Sequence, residues 1–438
     1  MGRICTARLL LTMTLLVGAI CCTDCSRSRS ESAEYLLTYW SSTNPHEIEL
    51  SEELVAEWNE LHPRMKVKLQ PLPEGRSGEE VLIIAAAGGT APDVCSNVPP
   101  IVVPLLAQAA ALVPVDNFTD GRSYLAERIP AELLNTFVSS DGRLYQIPWK
   151  GNPIMVQYNT GILKEVGFEQ LPATWSEWNH LAALVSGDTD GDGRDDRWMA
   201  DLNIIAEWRQ RLFDFYPFFI AASHGETLLR NNRDINFNTT ITRDIFEFYG
   251  VGFRNGWYAN SIWIGDQYLQ GHMAAHITGP WNISHTERFK PPGFQYDFGP
   301  IPVPDGFTGD HYTFGDPKSI GIFSTSEHPA EAWEFVKFLI SREADGKLLE
   351  ICGQLPLRKE LLCDTLYAEY FSKNPHMRKF AELVPFTRGF DQSPALQEVF
   401  DAINEQFDAA CIQNRRTADE ALKRAVKRSE NVLKARGN

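Results

Sequence analysis

From Tyr35 the chain alternates short apolar runs with stretches of helical spacing, and this alternation restricts the fold more than any single motif does. Residues 35–40 read as a strand. Ser42, Thr43 and Asn44 then offer N-cap oxygens ahead of Pro45, a residue suited to a first helical turn. Leu50, Leu54, Trp58 and Leu61 recur at helical spacing until Pro63. Residues 65–69 alternate as a half-buried strand, a second helix over 79–87 stops at Gly88-Gly89, and Asp93 opens the next strand. Such a βαβα order predicts a largely parallel sheet with helices on its faces. Its strand ends at Trp40-Ser41-Ser42 and Ser96-Asn97 converge on one edge, where open α/β sheets hold their ligands.

With 438 residues the chain has room for more than one domain, and the pattern restarts. Asp141-Gly142 makes a turn, and Ile147-Pro148-Trp149 follows as a crossover between lobes. Strand and helix resume at residues 155–158 and 175–185. The Pro-punctuated segment 298–304 is a second crossover. His328 to Leu339 reads as a helix with Ala332, Phe335, Val336 and Leu339 on one face, and 418–435 as an amphipathic, Lys/Arg-rich last helix.

The N-terminus carries Arg3 and Arg8 ahead of the apolar run 9–20, the layout of a signal peptide (1–21). Cys22, or Cys21 beside it, stands where a lipoprotein carries its lipid, and a polar linker (22–33) follows. No other apolar run is long enough to span a bilayer. A formal net charge of −16 excludes a nucleic-acid partner, which needs a basic face. Cysteines are sparse; Cys352 and Cys363 flank one loop and could pair, whereas Cys95 reads as a buried thiol.

No nucleophile elbow, His-Glu-x-x-His or phosphate-binding loop is present, so nothing selects a catalytic group. Asp188, Asp190, Asp192 and Asp196, with Gly193 at the sixth position, match a calcium loop, although Met199 takes the place of the bidentate carboxylate. Met273–Thr278 reads as a strand broken by Gly279-Pro280, which places Trp281 where the chain leaves the sheet. Trp40, Trp149 and Trp281 all stand at strand ends or crossovers. Taken singly each is a core residue. Together they suit the apolar face of a sugar ring, or a choline-type cation.

Eight segments in order resemble the extracellular solute-binding proteins of bacterial sugar ABC importers, the group that includes maltose- and glycerol-phosphate-binding proteins. They are Thr38-Tyr39-Trp40, Gly89-Thr-Ala-Pro-Asp-Val94, Asp141-Gly-Arg-Leu-Tyr-Gln-Ile-Pro148, Tyr158-Asn-Thr-Gly-Ile-Leu163, Pro172-Ala-Thr-Trp175, Gly279-Pro-Trp281, His328-Pro-Ala-Glu-Ala-Trp333 and Gly353-Gln-Leu-Pro-Leu-Arg358. The resemblance implies a type II periplasmic binding protein fold of α/β class, with three interlobe crossovers and a ligand trapped by hinge closure. It implies an N-terminal lobe of 34–146 and 303–348 and a C-terminal lobe of 147–302 and 349–438. It carries ligand contacts onto Trp40, Ser41, Ser42, Asn97, Trp149, Lys150, Trp281, Gly315, Asp316 and Arg358. The expected protein is a monomeric, lipid-anchored periplasmic carrier with no catalytic activity and no cofactor beyond a structural calcium. Its partners are a sugar or glycerol-phosphate-type solute and the permease subunits. A secreted carbohydrate-active enzyme on the same scaffold is the competing reading. Lys150 and Arg358, if both face the cleft, would favour a phosphorylated solute, because two cations can hold one phosphoryl group.

Overall fold

The computed structural model describes residues 35–73, 77–202, 204–205, 207–259 and 265–436; the segments expected as signal peptide and linker, with the expected anchor Cys21 or Cys22, lie outside them. The strands are β1 (Tyr35–Ser41), β2 (Met65–Pro71), β3 (Val94–Val98), β4 (Ile147–Lys150), β5 (Met155–Asn159), β6 (Trp198–Ala200), β7 (Leu229–Arg230) and β8 (Asp234–Ile235). They continue with β9 (Met273–Thr278), β10 (Tyr296–Gly299), β11 (Thr313–Phe314), β12 (Lys318–Ile322) and β13 (Thr387–Arg388). One five-stranded sheet has the order β2-β1-β3-β12-β4, and a four-stranded sheet has the order β10-β5-β9-β6. Each sheet is the centre of one lobe.

Local signals formed the first elements as expected. Helix α1 (Pro45–Leu61) starts at Asn44, whose side chain accepts from the backbone N–H of His46 and Glu47. Helix α2 (Gly78–Gly88) ends on Gly89 at φ +65°, a left-handed cap that glycine adopts without strain. β1, β2 and β3 run parallel. The sheet is not parallel throughout, however. β4 and β12 are the strands next to crossovers, and β12 runs antiparallel to both β3 and β4.

The crossovers fall later than the sequence suggested. Ile147–Lys150 pairs with β12 in the first sheet, so the chain leaves that lobe through 151–154 and not at 147. Gly151 is needed there, since a Cβ would stand 2.6 Å from the Leu357 side chain. Val303 still exchanges backbone hydrogen bonds with the second lobe at Ala173 and Trp175, and β11 pairs with β13, so the return comes at 315–317. The third crossing lies well beyond 348. Leu355 and Leu357 bond to Gly151 and Trp149, and the Tyr367 hydroxyl donates to the Arg342 carbonyl, both in the first lobe. Only around His376, whose ring stands 4.7 Å from Tyr296, does the chain rejoin the second. No helix among the described residues is long and apolar enough to cross a membrane.

Candidate functional site

β9 ends at Thr278, Gly279-Pro280 breaks it, and a helix (Trp281–Phe289) begins with the aromatic. The indole folds back over Gly279 so closely that a Cβ there would lie 2.1 Å from the ring. Glycine at 279 is therefore a condition for this pose of Trp281. Phe213 meets the indole edge-on, with centroids 6.2 Å apart and planes at 88°. Behind it Asn282 donates to Gln157 at 2.6 Å, and Gln157 donates to Thr286 at 2.9 Å, which pins the first helical turn to β5.

Trp281 forms one wall of a cavity of about 300 Å³ whose polar groups come from Asp201, Gln210, Asp214, His276, Thr278 and Asn282. Thr278 pairs with Met155, the first residue of β5 after the crossover, so the cavity opens at the junction of the lobes. The loop that supplies Gln210 also reaches the first lobe, where Arg209 pairs with Glu79 of α2 at 3.2 Å. Asp214 is buried and pairs with Arg211 at 2.8 Å. Burial pushes its carboxyl up to about 6 against the pull of Arg211. Partial desolvation also lifts Asp201 above the usual carboxylate range, and burial lowers the neighbouring His276. Sequence reasoning missed Asp201, Gln210, Phe213 and Asp214, because an irregular loop between β6 and the next helix carries no periodic signal.

The first-lobe side of the junction is an ion pair. Lys150, at the end of β4, is 1% exposed and lies 2.8 Å from Glu47 in the first turn of α1. Asn97, held at φ +58°, and Gln354 both donate to the same Glu47 carboxylate. Burial tends to raise Glu47, but the Lys150 charge and these hydrogen bonds outweigh it and hold the carboxyl below its usual range. The expected residues Asn97 and Lys150 do come together here, around a Glu47 and a Gln354 that the sequence did not single out. Ser41 is buried with its hydroxyl on the Ser42 carbonyl, and Ser42 in turn accepts from the Asn44 N–H.

Other candidates are placed differently. Trp149 is 4% exposed, belongs to the first-lobe core and lies under Lys150, whose Nζ is 4.5 Å from the ring centroid. Trp40 is 9% exposed and packs among apolar residues. Neither offers an open face in this conformation. Gly315 is locked between β13 and the first crossover, its N–H on the Arg388 carbonyl and its own carbonyl accepting from the Asn152 N–H. Asp316 is taken up by Lys318 at 2.6 Å. Arg358 turns away from the cavity. It donates to Asp345 at 2.6 Å and to the Ile340 carbonyl, on a carboxylate that Arg128 also binds. The two cations expected to clasp a phosphoryl group therefore each serve an internal carboxylate.

In the acidic loop, oxygens of Asp188, Asp190 and Asp196 lie within 4.8 Å of one another, while Asp192 stands outside the group and Met199 is buried in β6. Hydrogen bonds from the Gly193 and Gly191 N–H groups lower the Asp188 carboxyl. Cys352 and Cys363 are both free thiols, one buried and one exposed, so the loop between them is not closed by a disulfide. Cys95 is buried in β3 as expected.

Comparisons with known proteins bear on the fold and the family. An arabinooligosaccharide-binding protein of Bacillus subtilis is 23% identical over 397 residues, covering 84% of each chain. An sn-glycerol-3-phosphate-binding periplasmic protein of Rhizobium meliloti is 21% identical over 433 residues, 91% of this chain and 94% of the other. Among solved structures, the sugar-binding protein MalE of Xanthomonas citri superposes with a TM-score of 0.76 at 22% identity, covering 92% of this chain and 98% of that one. The two-lobed fold is thus that of the periplasmic binding proteins. Residues 44–346 match the model of the bacterial extracellular solute-binding proteins, and the chain belongs to that family.

Proposed function

We propose that this chain is the non-enzymatic carrier of an ABC importer, capturing a carbohydrate between its lobes and handing it unchanged to the permease. The observation that carries the reading is Trp281, held over Gly279 as one wall of a polar cavity at the lobe junction. A flat aromatic beside fixed amide, hydroxyl and carboxylate groups matches a sugar, which presents an apolar ring face and an edge of hydroxyls. Oligosaccharide recognition by the Bacillus subtilis relative supports the same class.

A phosphorylated solute has the Rhizobium meliloti relative in its favour. The charges speak against it. Lys150, Arg358, Lys318 and Arg209 are each engaged by a carboxylate. We further propose that Cys22, or Cys21, carries a lipid that tethers the carrier to the outer face of a membrane. Radiolabelled palmitate incorporation that survives Cys21→Ala and disappears in Cys22→Ala tests the first choice. Any calcium at Asp188, Asp190 and Asp196 would be structural, read as a chelator-sensitive melting temperature.

The primary test is a thermal melt against a panel of neutral oligosaccharides and glycerol 3-phosphate, with the bound compound recovered and analysed. A ligand at a hundred times its Kd stabilises the fold by about 2.7 kcal/mol. The expected result is a shift with one or more sugars, none with glycerol 3-phosphate, and the sugar recovered intact. Turnover of the sugar would instead assign an enzyme.

A further inference from the structure

The cavity beside Trp281 is unbalanced in charge. Two of its walls are the carboxylates of Asp201 and Asp214. Asp214 is compensated by Arg211 and by the Phe215 N–H. Asp201 is not: among the described residues the charges that act on it are those of His276 and Asp266, and no lysine or arginine is among them. Burial lowers the His276 imidazole and so disfavours its charged form, and Asp266 is itself engaged by His285 at 2.8 Å. The net field at the rim is therefore negative, in a protein whose overall charge is already −16.

Hinge closure makes this matter. When the lobes shut on a ligand, the rim loses water, and a carboxylate that loses water needs either a cation or several good donors. A neutral sugar supplies hydroxyl donors only. An ammonium supplies a full opposite charge and charge-assisted hydrogen bonds. The wall facing the cavity is a tryptophan, the aromatic that attracts cations most strongly when they lie over its face. Carboxylate and indole on one small cavity are thus complementary to the same kind of group, a primary ammonium attached to a ring.

We propose that the solute is an amino sugar whose protonated amine sits against Asp201 while its ring stacks on Trp281. This rests on the carbohydrate reading above and narrows it. A net negative rim also repels anionic solutes.

The test compares four probes on the full chain by calorimetry at about pH 6, acid enough to keep a sugar amine protonated. The probes are a glucosamine trimer, its N-acetylated counterpart and maltotriose, with choline as a cation lacking a sugar ring. The expected result is binding of the glucosamine trimer about tenfold or more tighter than either neutral trimer, a preference one charge-assisted hydrogen bond can supply. Asp201→Asn should shrink that preference to within about twofold, while leaving weaker sugar binding in place. Equal or tighter binding of a neutral trimer, or an unchanged preference in Asp201→Asn, overturns the amino-sugar assignment and leaves the carbohydrate reading standing. Binding of choline with none of the sugars, or of none of the four, overturns both.

Discussion

Replacing Lys150 by methionine keeps most of the length of the side chain and removes its charge. Glu47, 5% exposed, would then be left with the neutral donors Asn97 and Gln354. Breaking a buried ion pair from one side costs about 3–5 kcal/mol. With an unfolding entropy of about 2 cal/mol/K per residue, roughly 400 folded residues melting together would lose about 5 °C, and a lobe of half that size melting alone about 10 °C. Differential scanning calorimetry at neutral pH measures the shift. Pairing the change with Glu47→Gln should restore at least half of it, because no uncompensated charge is then buried. The pH dependence follows from the sign of the Glu47 shift, which is downward in the folded state. Such a group contributes stability above its unfolded value and loses it as pH falls through the folded one. The gap between the wild type and Lys150→Met should therefore close below about pH 4. A Lys150→Met chain melting within about 1 °C of the wild type would falsify the account of the pair as a buried, mutually dependent one.

Trp281→Ala should weaken ligand binding by about tenfold or more with little change in the melting temperature of the free protein. Gly279→Ala should do the same through the displaced indole, since its methyl would collide with the ring; full affinity in Gly279→Ala would dismiss the platform. Arg358→Ala should lower stability and leave ligand affinity unchanged, because the guanidinium serves Asp345 and not the cavity; a lost affinity would return the phosphate reading. Asp391 is wholly buried, and desolvation raises its carboxyl to about 7, so its contribution is present in acid and lost as pH rises through that value. Up to about 4 kcal/mol is at stake, and the decline in melting temperature between about pH 4 and 7 should flatten in Asp391→Asn. A thiol reagent applied to the folded protein should label Cys363 and leave Cys95, Cys352 and Cys411 for the denatured chain.

Much of the first lobe was legible because its signals are local. The Asn44 cap, the Pro45 start and the Gly88-Gly89 stop each act within a turn, and the structure reproduces α1 and α2 within about two residues. The break at Gly279-Pro280 was equally plain, and Trp281 does face the cavity. What failed were assignments resting on a charge or an aromatic alone. Trp149 sits at a strand end as read, yet Lys150 folds over it and both become core. Arg358 follows its expected landmark, yet Asp345, a carboxylate that Arg128 also binds, claims it. The crossovers moved because a strand belongs to the lobe whose neighbour completes its hydrogen bonds, and β4 finds that neighbour in β12.

By itself the sequence determined the alternation of elements, the breaks between them and the point at which an aromatic leaves a sheet, since these depend on backbone preferences and side-chain periodicity over a few residues. Only the tertiary structure decided which charges are spent. Glu47 with Lys150, Asp345 with Arg358 and Arg128, and Asp214 with Arg211 are all taken up internally, and Asp201 is left facing the cavity with no lysine or arginine against it among the described residues. The reason is that a charge entering low dielectric must find its partner wherever the fold brings one, and that partner's place in the chain follows no period.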